Sequence, residues 1–259
     1  MNLGLRGKPA LVTGSSRGIG LAIAQRLLME GCPITLCARN AEPMEEARDQ
    51  LKKLCTDATI HLIQADLSQK GASADVVREA AKRMNGLQLL VNNVGTNRRM
   101  PFEATTDEDW DALLATNFRG PLEATRAAFP FLRENGGSVV FNASIYGREF
   151  GGRDMSLYHV SKAALIALSK SLAVEWVGQG IRVNTIAPGS IWFEGGSWDR
   201  RLKSDPEGMK AFTERELPLG RLGRADEIAD AVAFLLSERA SLVNGTCWNV
   251  DGGQSRSML

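Results

Sequence analysis

The chain has 259 residues, and 31 lysines and arginines nearly balance 30 aspartates and glutamates, leaving a formal charge of +1. Nothing in that balance asks for nucleic acid or an anionic membrane as a partner. Hydrophobic residues at 44% and charged residues at 24% exclude a disordered chain and supply a sizeable core.

From end to end, short apolar runs rich in β-branched residues alternate with helical patterns. Strands are predicted at 10–13, 34–38, 59–64, 87–92, 138–143, 182–187 and 246–250, and helices at 18–30, 43–55, 73–85, 107–133, 156–177 and 225–237. Continuous apolar strands separated by helices imply an α/β, doubly wound fold: a seven-stranded parallel sheet with helices on both faces. No Pro-, Gly- or Ser-rich linker interrupts the alternation, so residues 1–259 are expected to form a single domain. The rhythm breaks at about 190–217, a segment carrying Trp192, Phe193, Glu194 and Trp198, and a long insertion at the carboxyl edge of such a sheet reads as a substrate lid.

The four cysteines, Cys32, Cys37, Cys55 and Cys247, have neither zinc-pair nor CxxC spacing and read as reduced, mostly buried thiols. His61 and His159 are the only histidines and stand too far apart to suggest a metal site. The first nine residues lack the pattern of a signal peptide, and no run approaches the ~18 apolar residues of a membrane span, so a cytoplasmic protein without membrane partners is expected.

The segment Thr13-Gly14-Ser15-Ser16-Arg17-Gly18-Ile19-Gly20 joins the first strand to the first helix. There a glycine-rich turn lets backbone N–H groups and a helix N-terminus meet a pyrophosphate. Taken alone, the glycines also suit a tight turn with close packing. The second strand ends at Arg39, where a carboxylate would read the ribose hydroxyls of NAD. Arg39 and Arg17 instead offer two guanidinium groups to a 2′-phosphate, which favours NADP(H); the other reading of Arg39 is an exposed loop charge.

Tyr158 precedes Lys162 by four residues within a helical pattern, so both project from one helix face. A nearby ammonium favours the phenolate and is expected to lower the tyrosine pKa from about 10. Ser144 ends the fifth strand and is placed to donate to a substrate oxygen. By itself the Tyr-xxx-Lys spacing equally fits a packed tyrosine beside a solvated lysine.

Together these segments resemble the short-chain dehydrogenase/reductase family along essentially the whole chain. The loop 13–20 looks like the family's TGxxxGxG cofactor loop, Asp66-Leu67 like its adenine-contacting pair, and Asn92-Asn93-Val94-Gly95 like its NNAG strand end. Asn117, Ser144, Tyr158 and Lys162 match its catalytic tetrad in order and context, Pro188-Gly189 its nicotinamide-side turn, and Asp251-Gly252-Gly253 its C-terminal motif. The resemblance implies a Rossmann-like fold with NADP(H) held by Gly14, Ser16, Arg17, Gly18, Ile19, Gly20, Arg39, Asp66, Leu67, Asn93, Gly95, Pro188, Gly189 and Ile191, together with Tyr158 and Lys162. It implies that Tyr158 gives or takes the proton and that Lys162 lowers its pKa and binds the nicotinamide ribose. Ser144 would orient the carbonyl, and Asn117 would hold a water linking Lys162 to solvent. The chain departs from the family at Val94, usually alanine, and in lacking the threonine that many relatives carry just after the Pro-Gly turn.

The expected activity is reversible NADPH-dependent reduction of a ketone, a small molecule held by Ser144, Tyr158, Trp192, Phe193 and Trp198. The lid aromatics suit an apolar or ring-bearing carbonyl, or else pack within the lid or against another subunit. Competing readings are a 3-oxoacyl thioester reductase acting on CoA or carrier-protein substrates, a sugar or polyol dehydrogenase, and a non-catalytic NADP-binding sensor or scaffold. Against the first of these readings, the two arginines with which 3-oxoacyl reductases dock their carrier protein align with Pro130 and Val174. Arg98 and Arg99 offer another basic pair, or plain surface charge. The family implies a homotetramer, with a dimer second.

Overall fold

The computed structural model describes residues 2–258. In chain order the strands are β1 (Ala10–Thr13), β2 (Ile34–Ala38), β3 (Ile60–Gln64), β4 (Leu89–Asn92), β5 (Ser138–Asn142), β6 (Arg182–Pro188), β7 (Ile191–Trp192), β8 (Gly223–Arg224) and β9 (Cys247–Val250). Seven of them form one parallel sheet in the order β3-β2-β1-β4-β5-β6-β9, while β7 and β8 pair separately. The helices are α1 (Gly18–Met29), α2 (Ala41–Leu54), α3 (Ala72–Met84), α4 (Asp107–Leu114), α5 (Gly120–Asn135), α6 (Ser156–Trp176), α7 (Ser197–Ser204), α8 (Pro206–Glu216) and α9 (Ala225–Leu236).

The strands are apolar on both sides because both faces of the sheet are covered. Val12, Leu36, Leu89 and Val91 meet Ile23, Leu27, Val232 and Ala233 of α1 and α9 on one face. Leu11, Leu90, Val139 and Phe141 meet Val77, Ala128 and Leu165 of α3, α5 and α6 on the other. Chain reversal at β1 and β4, which are neighbours though far apart in sequence, makes the loops after them diverge and opens a crevice at the carboxyl edge.

The expected single helix over 107–133 is corrected by the structure. A π-helical turn, Ala115–Arg119, separates α4 from α5. The side chain of Asn117 is drawn from the helix surface to bond the backbone of Thr96. Gly120 packs so closely that a Cβ there would stand 2.7 Å from the Leu67 carbonyl oxygen. The apolar period runs through the break, which is why the sequence pattern hides it.

Segment 190–217 lies at the carboxyl edge and holds β7, α7 and α8 rather than irregular chain. All four cysteines are free, and burial pushes Cys32 and Cys37 up to about 12. Among the described residues no helix is long and apolar enough to cross a membrane, and no group of His, Cys, Asp or Glu is arranged to hold a metal ion.

Candidate active site

One cleft of about 690 Å³ runs across the carboxyl edge of the sheet, from Arg39 and Asp66 at one end to Ser144, Tyr158 and Trp198 at the other. The β1–α1 loop forms its floor. Gly18 adopts φ +59°, and a Cβ on Gly20 would stand 2.2 Å from the Gly14 carbonyl oxygen, so the turn closes only with glycine at both positions. No side chain caps the N-terminus of α1, which leaves its first N–H groups facing the cleft. Ser15 anchors the loop from below, donating to the Val12 carbonyl at 2.8 Å and accepting from the Cys37 N–H at 3.0 Å.

Gly14, Ser16, Arg17, Ile19, Gly20, Arg39, Asp66, Leu67, Asn93, Gly95, Pro188, Gly189 and Ile191 all line the cleft. Gly18 lies behind its surface, covered by the Phe193 ring, which would stand 2.8 Å from a Cβ there. Asp66 accepts from the N–H and hydroxyl of Ser68, and the backbone bond above all, with Arg39 contributing, holds its carboxyl below the usual range. Arg17 and Arg39 are exposed on the cleft wall and, among the described residues, neither guanidinium forms an ion pair. Asn93 has a different use from a cofactor contact by its amide. Its Nδ2 donates to the Thr13 and Gly14 carbonyls at 2.9 and 3.2 Å while its Oδ1 accepts from Asn142 Nδ2 at 2.8 Å, so the side chain fastens the loop to β4 and β5.

At the opposite end, α6 presents Tyr158 and Lys162 to the cleft, as their spacing requires. Lys162 is buried, its Nζ donates to the Asn142 carbonyl at 2.9 Å, and burial lowers its pKa to about 8. Nζ lies 5.8 Å from the Tyr158 ring centroid. The expected lowering of the Tyr158 pKa is corrected. Burial of the phenol dominates and raises it, while a hydrogen bond with Ser144 pulls the other way. Ser144 also accepts the Tyr146 N–H at 3.2 Å.

Asn117 is buried, and both its amide protons are committed, to the Thr96 carbonyl at 2.9 Å and Ser161 Oγ at 3.0 Å, while its Oδ1 accepts the Thr96 N–H at 2.8 Å. This side chain therefore braces the loop after β4 against α6.

The lid aromatics divide. Trp198 lines the cleft, stacked on Phe212 with centroids 4.8 Å apart. Phe193 lines it too, but on the phosphate loop over Gly18, a correction to its expected substrate-side place. Trp192 turns away, donating its indole N–H to Asp199 Oδ1 at 3.2 Å, and Glu194 is exposed outside the cleft. Asp199 organises the lid: its Oδ2 also accepts from the Gly195 N–H and Lys203 Nζ, and the Lys203 bond chiefly holds its carboxyl below the usual range. Asp199 and Asn142 escaped the sequence reading; the only signal for Asn142 was a polar residue closing an apolar strand.

This cleft, with a glycine turn and two free arginines at one end and a Ser-Tyr-Lys group at the other, has the layout of a dinucleotide crevice at the switch point of a doubly wound sheet. The family model described as "Enoyl-(Acyl carrier protein) reductase" matches residues 14–255. A tropinone reductase homolog of Arabidopsis thaliana is 34% identical over 253 residues, covering 96% of this chain and 92% of the relative. Levodione reductase of Leifsonia aquatica is 33% identical over 250 residues, covering 95% and 93%. The crystal structure of L-sorbose reductase from Gluconobacter frateurii, complexed with NADPH and L-sorbose, superposes with a TM-score of 0.92 at 31% identity over 100% of both chains. The chain belongs to the short-chain dehydrogenase/reductase family.

Proposed function

We propose that the protein reduces a ketone to a secondary alcohol with NADPH, reversibly, with Tyr158 as the proton donor. The observation that carries this reading is the meeting of Ser144, Tyr158 and Lys162 at one end of a cleft whose other end offers Arg17 and, directly after β2, Arg39. The cradle suits a phosphorylated dinucleotide. Its glycines leave the backbone bare, the uncapped helix end faces the pyrophosphate position, and the free guanidinium groups match a 2′-phosphate by charge and shape. Bound there, the reduced nicotinamide supplies the hydride.

The side chains supply the rest. Ser144, its oxygen already accepting the Tyr146 N–H, directs its proton at the carbonyl oxygen or Tyr158. The raised pKa keeps Tyr158 protonated at neutral pH, as an acid requires, and charge developing on the substrate oxygen draws that proton off. Lys162, charged below about pH 8, then stabilises the phenolate left behind. Trp198, stacked on Phe212, forms an aromatic wall for the carbonyl compound. The solved relative complexed with NADPH, levodione reductase and the tropinone reductase homolog support cofactor and reaction.

Oxidation of purified protein's NADPH, with NADH in parallel, against cyclic and aryl ketones, diketones, keto esters, keto sugars and acetoacetyl thioesters tests the reading. NADPH-dependent turnover of a ketone class supports it; NADPH binding without turnover of any overturns it in favour of a sensor. Arg39→Asp is expected to weaken NADPH binding and relatively favour NADH, and an unchanged preference removes Arg39 as the 2′-phosphate contact.

A further inference from the structure

The last residues of the chain fold back onto the catalytic end of the cleft. Gln254 follows the 251–253 turn and is only 8% exposed. Its Oε1 accepts the Ser190 N–H at 2.7 Å, and its Nε2 donates to the Tyr146 hydroxyl at 3.5 Å. An N–H can only donate, so the atom facing Ser190 must be the amide oxygen, which fixes the amide's orientation. Gly189 meets this side chain so closely that a Cβ would stand 2.6 Å from Oε1 and 2.8 Å from Asp251 Cβ. Tyr146 in turn donates its N–H to Ser144 Oγ. A continuous bridge therefore runs from the 188–190 turn through Gln254 and Tyr146 to the serine that faces the substrate.

The bridge has a fixed foot. Asp251 accepts the N–H groups of Gly253 and Ser255 at 3.0 and 2.8 Å. Glu149 Oε2, on the segment after Ser144, accepts from Ser255 Oγ and from the N–H groups of Arg256 and Ser257 at 3.0, 3.1 and 2.9 Å. Pro188 and Gly189 line the cleft, and the turn that follows them carries serine and isoleucine, with no threonine hydroxyl to fix a ligand there. Two backbone bonds also hold the turn, Gly189 N–H to the Val250 carbonyl at 3.3 Å and Gly223 N–H to the Ser190 carbonyl at 2.9 Å, and the tail adds the one side-chain acceptor, Gln254 Oε1, at the Ser190 N–H.

We propose that Gln254 is a positioning residue that holds the 188–190 turn at a fixed separation from Ser144 and so sets how the nicotinamide end of the cofactor meets the carbonyl. This rests on the ketone-reductase reading. Removing the amide leaves a buried N–H without its acceptor and frees the turn to shift, and a misplacement of about 1 Å can cost about 10²-fold in the chemical step.

The test compares wild type with Gln254→Met, which keeps the length and loses both hydrogen bonds, and Gln254→Glu, which keeps an acceptor for Ser190. In protein without cofactor, hydrogen exchange of the Ser190 amide is expected to accelerate in the Met variant by about tenfold or more, with β1 and β4 amides unchanged. NADPH affinity, read by fluorescence titration, is expected to weaken less than kcat falls. The kinetic isotope effect with NADPH deuterated at the transferred position is expected to rise, and Gln254→Glu to recover most of each loss. Faster Ser190 exchange with unchanged kcat and isotope effect assigns Gln254 to tail anchoring alone and overturns the proposal; unchanged exchange overturns it too. Should the Met variant fail to fold, Tyr146→Phe breaks the bridge at its other bond and is expected to shift the isotope effect in the same direction. A wild type silent on every ketone sinks the functional reading instead, and Ser190 exchange with NADPH affinity still judges whether Gln254 holds the turn.

Discussion

Lys162 is a cation placed where few cations survive. Its Nζ is buried with one donated hydrogen bond, and its pKa stands at about 8 against 10.5 for a free lysine. That difference corresponds to roughly 3 kcal/mol by which the unfolded chain holds the proton better. The unfolded state therefore binds more protons between about pH 8 and 10.5, and stability must rise with pH across that window as the penalty on the charged form disappears. Lys162→Met is expected to stabilise the fold at pH 7 by about 2 kcal/mol, once about 1 kcal/mol for the lost bond to Asn142 is set against the relief, and the gain should shrink above about pH 8 and turn into a net loss by pH 10.5. Urea unfolding across that pH range checks it; a variant less stable than wild type at pH 7 refutes it. The same group predicts that carbonyl reduction declines above about pH 8, as the charge that stabilises the Tyr158 phenolate is lost. Tyr158→Phe should cut turnover by about 10³ while leaving NADPH affinity nearly unchanged, measured by steady-state kinetics beside fluorescence titration.

At this scale the sequence shows what lies on one element and hides what faces it. Tyr158 and Lys162 are legible because a spacing of four fixes them to one helix face. Asn142, Asp199 and Gln254 acquire their work from partners that only the fold brings close: Lys162, the Trp192–Lys203 turn of the lid, and the Ser190–Tyr146 pair. The Tyr158 pKa was misread for a related reason, since a neighbour four residues away is visible in sequence and the depth of burial is not.

Between elements, segment 190–217 contributes to both ends of the cleft through Phe193 and Trp198. Phe193 lies over Gly18 and against Gly196, so the strand leaving β7 crosses the phosphate loop before α7 turns back with Trp198 toward the substrate end. Removing the Phe193 ring should open the loop without touching the carbonyl site. Phe193→Ala is expected to raise the NADPH dissociation rate several-fold with the ketone KM little changed, and Trp198→Ala to do the reverse, as stopped-flow release and steady-state kinetics can show. A raised ketone KM in Phe193→Ala would return that ring to the substrate side. The sequence marked this segment as an interruption but not its helices, because α7 and α8 are short and polar and owe their place to Asp199 and the Trp198–Phe212 stack. The π turn at Asn117 was hidden for the opposite reason, an apolar period that continues through a change of backbone geometry.

Over the whole molecule, the parallel sheet and its switch between β1 and β4 were legible because strands apolar on both faces admit few other arrangements. What covers the outer side of α6 was not. Its inward stripe is Leu157, Ser161, Leu165, Ser169 and Ala173, yet Val160, Ala163, Ala167 and Val174 also face solvent, with Lys170 and Glu175 the charged residues exposed beside them. A long exposed helix of a stable monomer carries a polar outer face, so this stripe fits a second copy of the chain, in line with the homotetramer expected from the family. Equilibrium sedimentation should then give a multiple of the chain mass, four-fold on that expectation. Ala167→Glu, which puts a charge in the middle of that stripe, should shift the mass downward. Because Tyr158 and Lys162 sit on the inward side of the same helix, splitting the assembly should also loosen their alignment and lower kcat more than NADPH affinity. A wild-type protein that sediments as a fully active monomer would show that α6 needs no partner to hold its catalytic face.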